Sequence, residues 1–130
     1  MTPQAKEWLN QADYDLKTAQ AMFKTRRYIY TVFMCHLAIE KALKAVVAEV
    51  TGLQPPKIHN LIHLVKLGSP VLTKEQVEFL AEINTANITT RYPDELKKLF
   101  KKYTRKLANE YVKKTRDVIK CIKKDPKLKK

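Results

Sequence analysis

Glycine is nearly absent from this chain. Among 130 residues only Gly52 and Gly68 occur, which removes the material for phosphate-cradling loops and for most tight hairpin turns. No run alternates apolar and polar residues over a strand's length, and no segment repeats. HExxH and GxSxG are missing, and three histidines without cysteine or carboxylate spacing do not make a zinc site. The paired acids Asp13 and Asp15 fall on different helical faces. These gaps argue against a metalloenzyme or a triad hydrolase, and no metal or cofactor is expected. Cys35 and Cys121 stand alone inside helical patterns, and both read as small buried apolar groups in a reducing compartment. Met1 to Leu9 lacks the apolar segment of a secretory leader, and the longest uncharged central run, Tyr28 to Ile39, is too short to cross a bilayer. A cytoplasmic protein is expected.

What the sequence does have is helical periodicity. Ala5, Trp8, Leu9, Ala12, Leu16, Ala19 and Phe23 recur at three- and four-residue steps, and Thr2-Pro3 is a good start signal, so a helix is predicted from Pro3 to Lys24. Its opposite face carries Lys6, Glu7, Asp13, Asp15 and Lys17. A second helix is predicted from Tyr28 to Thr51, with Gly52 as its stop. Val32, Cys35, Ile39, Leu43, Val46 and Val50 line one face, and Phe33, Leu37 and four alanines widen it, so this helix should be buried on several sides. After Pro55-Pro56 a short helix is expected from Ile58 to Leu67. Thr73-Lys74-Glu75-Gln76 matches a capping box for a helix running to about Ile88. A last helix should start near Asp94, with a possible bend around Lys101 to Thr104, and reach about Lys124. Its stripe is Leu96, Leu99, Phe100, Tyr103, Leu107, Tyr111, Val118 and Ile122. No proline falls inside the periodic part of these segments. The expected fold is all-α: an up-and-down bundle of four long helices and one short one, a single domain over 1–124 followed by a basic tail at 125–130.

The charge is lopsided. Residues 97–130 hold 15 Lys and Arg against 3 Asp and Glu, a net of +12, whereas residues 1–96 net only +1. Such an imbalance suits an anionic partner, whether nucleic acid, an acidic protein or a membrane surface. It also suits a solvated helix with a lysine tail.

Three constellations carry polar chemistry. His36, Glu40 and Lys44 follow one another at i, i+4, with Lys41 beside them. They read first as an exposed polar edge and second as a pocket or subunit interface. His59-Asn60, with His63 one turn on, follows the double proline. Either His59 or Asn60 could cap the short helix, and His59 is a candidate acid or base. Arg91-Tyr92-Pro93-Asp94 could hold a phosphate with Arg91 and stack a base on Tyr92, or could be a helix start in which Asp94 caps and Arg91 forms an ordinary ion pair.

These constellations, in this order, resemble the HEPN (higher eukaryotes and prokaryotes nucleotide-binding) family. The matching elements are Trp8, Ala12, Asp15-Leu16 and Ala19, then Tyr28 with Phe33 to Ala45 (FMCHLAIEKALKA), then His59-Asn60-Leu61 and Arg91-Tyr92-Pro93-Asp94. The resemblance covers nearly the whole chain. It implies a helical bundle that dimerises and, for small prokaryotic members, a minimal nucleotidyltransferase partner in a toxin–antitoxin type pair. Many members are metal-independent ribonucleases with an Arg-x4–6-His motif, in which histidine moves a proton and arginine stabilises phosphorane charge. That motif is missing here. No histidine follows Arg91, and nine and eight residues separate Arg26 and Arg27 from His36. The expectation is therefore a dimeric module binding a nucleotide, RNA or protein partner, with His36, Glu40, Lys41, Lys44, His59, Arg91, Tyr92 and Asp94 as its ligand-binding positions. The alternatives are a divergent endoribonuclease using His59 and Arg91, and a purely structural oligomerisation module.

Overall fold

The structure is a computed structural model that describes residues 1–87 and 91–129. The described chain is all helical, with α1 Pro3–Lys24, α2 Tyr28–Thr51, α3 Leu61–Gly68, α4 Lys74–Ile83, α5 Pro93–Lys102 and α6 Arg105–Lys123, closed by a 3-10 turn at Pro126–Leu128. No described helix is long and apolar enough to cross a membrane.

The helix ends follow local chemistry. The Thr2 hydroxyl accepts the Ala5 N–H and Pro3 opens α1. At its far end the Arg26 N–H donates to the Phe23 carbonyl and the Arg27 N–H to that of Met22, the double bond of a Schellman stop. Arg26 takes the left-handed position at φ +63°, where glycine is the usual residue. Helix α2 ends at Gly52 in the same conformation. Asn60 caps α3, which sets its start at Leu61 rather than Ile58. Thr73 and Gln76 form the full capping box of α4. Gly68 serves closeness rather than turning: a Cβ there would meet the Val46 and Val47 side chains at 3.1 and 3.3 Å.

The core is built by α1, α2 and α6. Ion pairs and ring contacts give their directions. Trp8 meets Lys44 and Asp15 meets Lys41, so α1 and α2 are antiparallel. Arg105 lies over Phe23 while Lys123 binds Asp13, so α6 is antiparallel to α1 and runs with α2. Helices α3 to α5 make the return crossing. Helix α2 packs on α1, α6 and α3, and most of its residues are buried.

Four expectations need correction. The segment read as one helix from Asp94 to Lys124 is two helices. Tyr103 turns into the core beside Tyr111, with ring centroids 6.4 Å apart, and Thr104 caps a new helix by accepting the Leu107 N–H. Helix α4 stops at Ile83 because Asn84 turns its side chain to α3, while its expected end at Ile88 lies outside the described residues. Asp15 and Phe100 exchange places: Asp15 is buried, whereas Phe100 is 67% exposed. Of the two cysteines, Cys35 is buried and its thiol is pushed up to about 12 by burial, with the nearby Thr115 hydroxyl acting in the opposite direction. Cys121 is only partly covered and its thiol donates to the Val71 carbonyl.

The chain past α6 is folded onto the bundle through Lys129. Leu128 is 1% exposed. The Asp125 carboxylate accepts the N–H groups of Val71 and Lys127, at 2.8 and 2.9 Å. Burial works to raise its pKa, but these donors and the Lys127 ammonium outweigh it and hold the carboxyl below its usual range.

Candidate functional site

The polar cluster of α2 is inside the protein, not on an edge. His36 is 1% exposed, Glu40 4% and Lys44 6%. Unpaired, such groups cost several kcal/mol each, and the sequence supplies partners from three elements. Glu40 accepts from the Lys44 ammonium at 2.9 Å. It also holds His59 Nδ1 at 3.0 and 3.1 Å. His36 Nδ1 lies 3.8 Å from the same carboxylate. The Lys44 ammonium sits 5.6 Å from the Trp8 ring, a favourable cation–π placement. One turn away Lys41 pairs with buried Asp15 at 2.8 Å. The Lys44–Glu40 and Lys41–Asp15 charges cancel pairwise. Burial lowers His36 to about pKa 4, against the raising effects of Glu40 and the Asn84 main chain and with a small lowering from His59. At neutral pH His36 is an uncharged imidazole whose buried Nε2 has no hydrogen-bond partner among the described residues.

A second layer ties this network to the crossing helices. The Leu61 N–H donates to Asn84 Oδ1 at 2.7 Å, and Asn84 Nδ2 donates to Asn60 Oδ1 at 3.2 Å. The Asn60–Asn84 pair thus joins the start of α3 to the end of α4, next to His59 on one side and His36 on the other. His63 is exposed on α3.

Arg91 has a different role from the one expected. Its Nη2 donates to the carbonyls of Thr85 and Asn87, both at 3.1 Å. Its guanidinium lies 5.3 Å from the Phe33 ring. It staples the polar segment after α4 against the start of α2, and no carboxylate takes it in an ion pair among the described residues. Tyr92 is the extended residue before α5 and is 77% exposed. Asp94 does not cap; it lies in the first turn of α5, where its charge opposes the positive helix end.

The structure therefore brings together His36, Glu40, Lys44 and His59, with Lys41 one turn off. It does not join them to Arg91: among the described residues no hydrogen bond, ion pair or ring contact links Arg91 to His59. Asp15, Trp8 and Asn84 belong to the site and are not among the residues that sequence reasoning selects for it. Asp15 reads from sequence as a surface acid. Its position on the same apolar row as Trp8, Ala12 and Ala19, three residues after Ala12 and seven after Trp8, is the available signal. The larger cavities lie elsewhere. One of about 450 Å³ runs between α4 and α6, with Glu75, Glu78, Glu82 and Asp117 around Phe79 and Lys114.

Comparison with known proteins agrees with this fold. The sequence pattern of the HEPN domain family matches residues 5–125. The fold is similar to the crystal structure of TT1696 from Thermus thermophilus, at 24% identity and a TM-score of 0.77 over 94% of this chain and 98% of that one. It is also similar to ST0689, described as an archaeal HEPN homologue, at 17% identity and a TM-score of 0.68 over 94% and 97% of the two chains. No functionally curated protein matches.

Proposed function

The chain belongs to the HEPN domain family, and from that premise we propose that it is a cytoplasmic, homodimeric binding module for an anionic partner, with RNA as the first candidate. The observation that carries this reading is a division of labour. The polar groups that could meet a phosphate are engaged within the protein: Arg91 with main-chain carbonyls, His36 in the core, and the exposed His59 with Glu40. The cations of the last quarter stay outside, with Lys97, Lys98, Lys101 and Lys102 of α5 and Arg105 and Lys106 of α6 all exposed. Such a surface attracts phosphate backbones and gives salt-dependent affinity. Tyr92 and Phe100 offer exposed apolar area for a second copy or a protein partner. A minimal nucleotidyltransferase, as in the toxin–antitoxin pairs of small HEPN proteins, is the protein partner of this reading.

One observation favours a ribonuclease as the second reading. The His59 side chain is 59% exposed and is held by a buried carboxylate, the arrangement that orients a general base. The two are separated by incubating the purified protein with single-stranded RNA in EDTA at several salt concentrations. Binding that weakens steeply with salt, with the RNA intact, supports the module. No binding at low salt removes it. Cleavage that disappears in His59→Ala installs the ribonuclease instead.

A further inference from the structure

The α1–α2 turn and the start of α6 together form a notch with a composition unlike the rest of the surface. Two adjoining cavities of about 290 and 390 Å³ share Phe23 and Arg105. Lys24 and Arg26 line one and Lys106 the other. No carboxylate lines either. Among the described residues none of these four cations forms an ion pair or a side-chain hydrogen bond, although Arg105 lies 5.7 Å from the Phe23 ring. Arg105 and Lys106 occupy the first turn of α6, where there is no acidic residue and the helix dipole adds further positive potential. Lys24, in the last turn of α1, is at the favourable end of its helix, but the cluster as a whole is unfavourable for the isolated chain. Like charges converge, Arg105 and Lys106 sit at the wrong helix end, and Arg26 holds a backbone conformation that suits glycine. A bound polyanion reverses the sign of the first two terms. The apolar wall has the matching second feature: Phe23 and Tyr28 stand 5.8 Å apart with their planes 50° from each other, and both reach the first cavity. Aromatic faces beside a cluster of cations suit an unpaired base next to its backbone.

We infer that this notch is a binding site for single-stranded RNA, with Lys24, Arg26, Arg105 and Lys106 on the phosphates and Tyr28 beside a base. This rests on the reading of the protein as an RNA-binding module and assigns that binding to one place. The test measures anisotropy of a short labelled oligoadenylate across a salt series, with a duplex of equal length alongside. For the double variant Lys24→Ala/Arg26→Gly, affinity near 100 mM salt is expected to fall about tenfold, and the slope of log affinity against log salt to lessen by about 1.4. The same charge loss on α5, Lys97→Ala/Lys101→Ala, is expected to cost at most about threefold, because those lysines stand on an open helix face and line neither cavity of the notch. Tyr28→Leu is expected to weaken the single strand about tenfold and to leave the duplex unmoved. Arg26→Gly alone separates function from fold, since it should raise Tm by a few degrees by relieving the left-handed residue while still weakening binding. If wild-type protein binds RNA and the notch variants bind equally well, the inference is overturned and the module reading stands. If wild-type protein binds no RNA, both fall.

Discussion

Helices α2 and α5 invert one another. By sequence α2 is the longest apolar-rich segment, yet it carries a histidine, a glutamate and a lysine into the interior. Helix α5 has a regular apolar stripe, yet buries none of its residues and leaves Phe100 in solvent. The cause is position in the stack. Helix α2 is enclosed by α1, α6 and α3, so its buried polar side chains need partners, and among the described residues all but His36 Nε2 find one. Helix α5 touches the bundle mainly along an edge of α2, so its apolar side chains have little opposite them. Enclosure, rather than local pattern, decides what is inside.

That contrast can be broken by measurement. The largest effect is expected for Glu40→Ala. It would strand the buried Lys44 ammonium and release His59, at a cost of about 3–5 kcal/mol in urea denaturation; a loss under about 1 kcal/mol would mean that the network contributes little. Next comes pH. His36 titrates near 4 when folded and near 6.5 when unfolded, so between these values the unfolded chain binds the extra proton and stability rises with pH. The contribution is complete above about pH 6.5 and is lost as pH falls toward 4, on the order of 3 kcal/mol in all. His36→Gln should flatten the profile in that window, and an unchanged slope would place the acid sensitivity elsewhere. Third, Asn84→Ala removes the acceptor of the Leu61 N–H and should cost roughly 1–2 kcal/mol, seen as faster amide exchange at the start of α3 before any global change. The smallest effect is expected on α5, where Phe100→Ser should stay within about 0.5 kcal/mol. A larger loss would show that α5 is covered in solution, and a dimer that dissociates in the variant would identify the cover.

Much of the fold was legible because its signals are local. Thr2-Pro3, Gly52, Thr73 with Gln76, and the spacing of apolar residues set α1, α2 and the start of α4 where they are observed. What was not legible depended on contacts far apart in the chain. The end of α4 comes from an asparagine used 23 residues away. The bend allowed for around Lys101 to Thr104 was legible, but not that it is a full break with the Tyr103 ring drawn in beside Tyr111. The site divides in the same manner. The i, i+4 spacing of His36, Glu40 and Lys44 was readable, but whether that row faced water was not, because it depended on Trp8 and Asp15 of α1 arriving opposite. Arg91 was readable as a phosphate-holding or ion-paired guanidinium. What holds it, two carbonyls of its own loop and Phe33, was not.

Trp8 is the only tryptophan in the chain, and it stands against the Lys44 ammonium. The intrinsic tryptophan fluorescence of this protein is therefore the emission of one place, the seam between α1 and the buried charges of α2. Opening of that seam will register as a shift in emission while the rest of the bundle is still helical by circular dichroism. Detachment of α5 will pass unseen. Two inexpensive spectroscopies applied to the same sample would thus resolve the order in which the enclosed and the peripheral helices come apart.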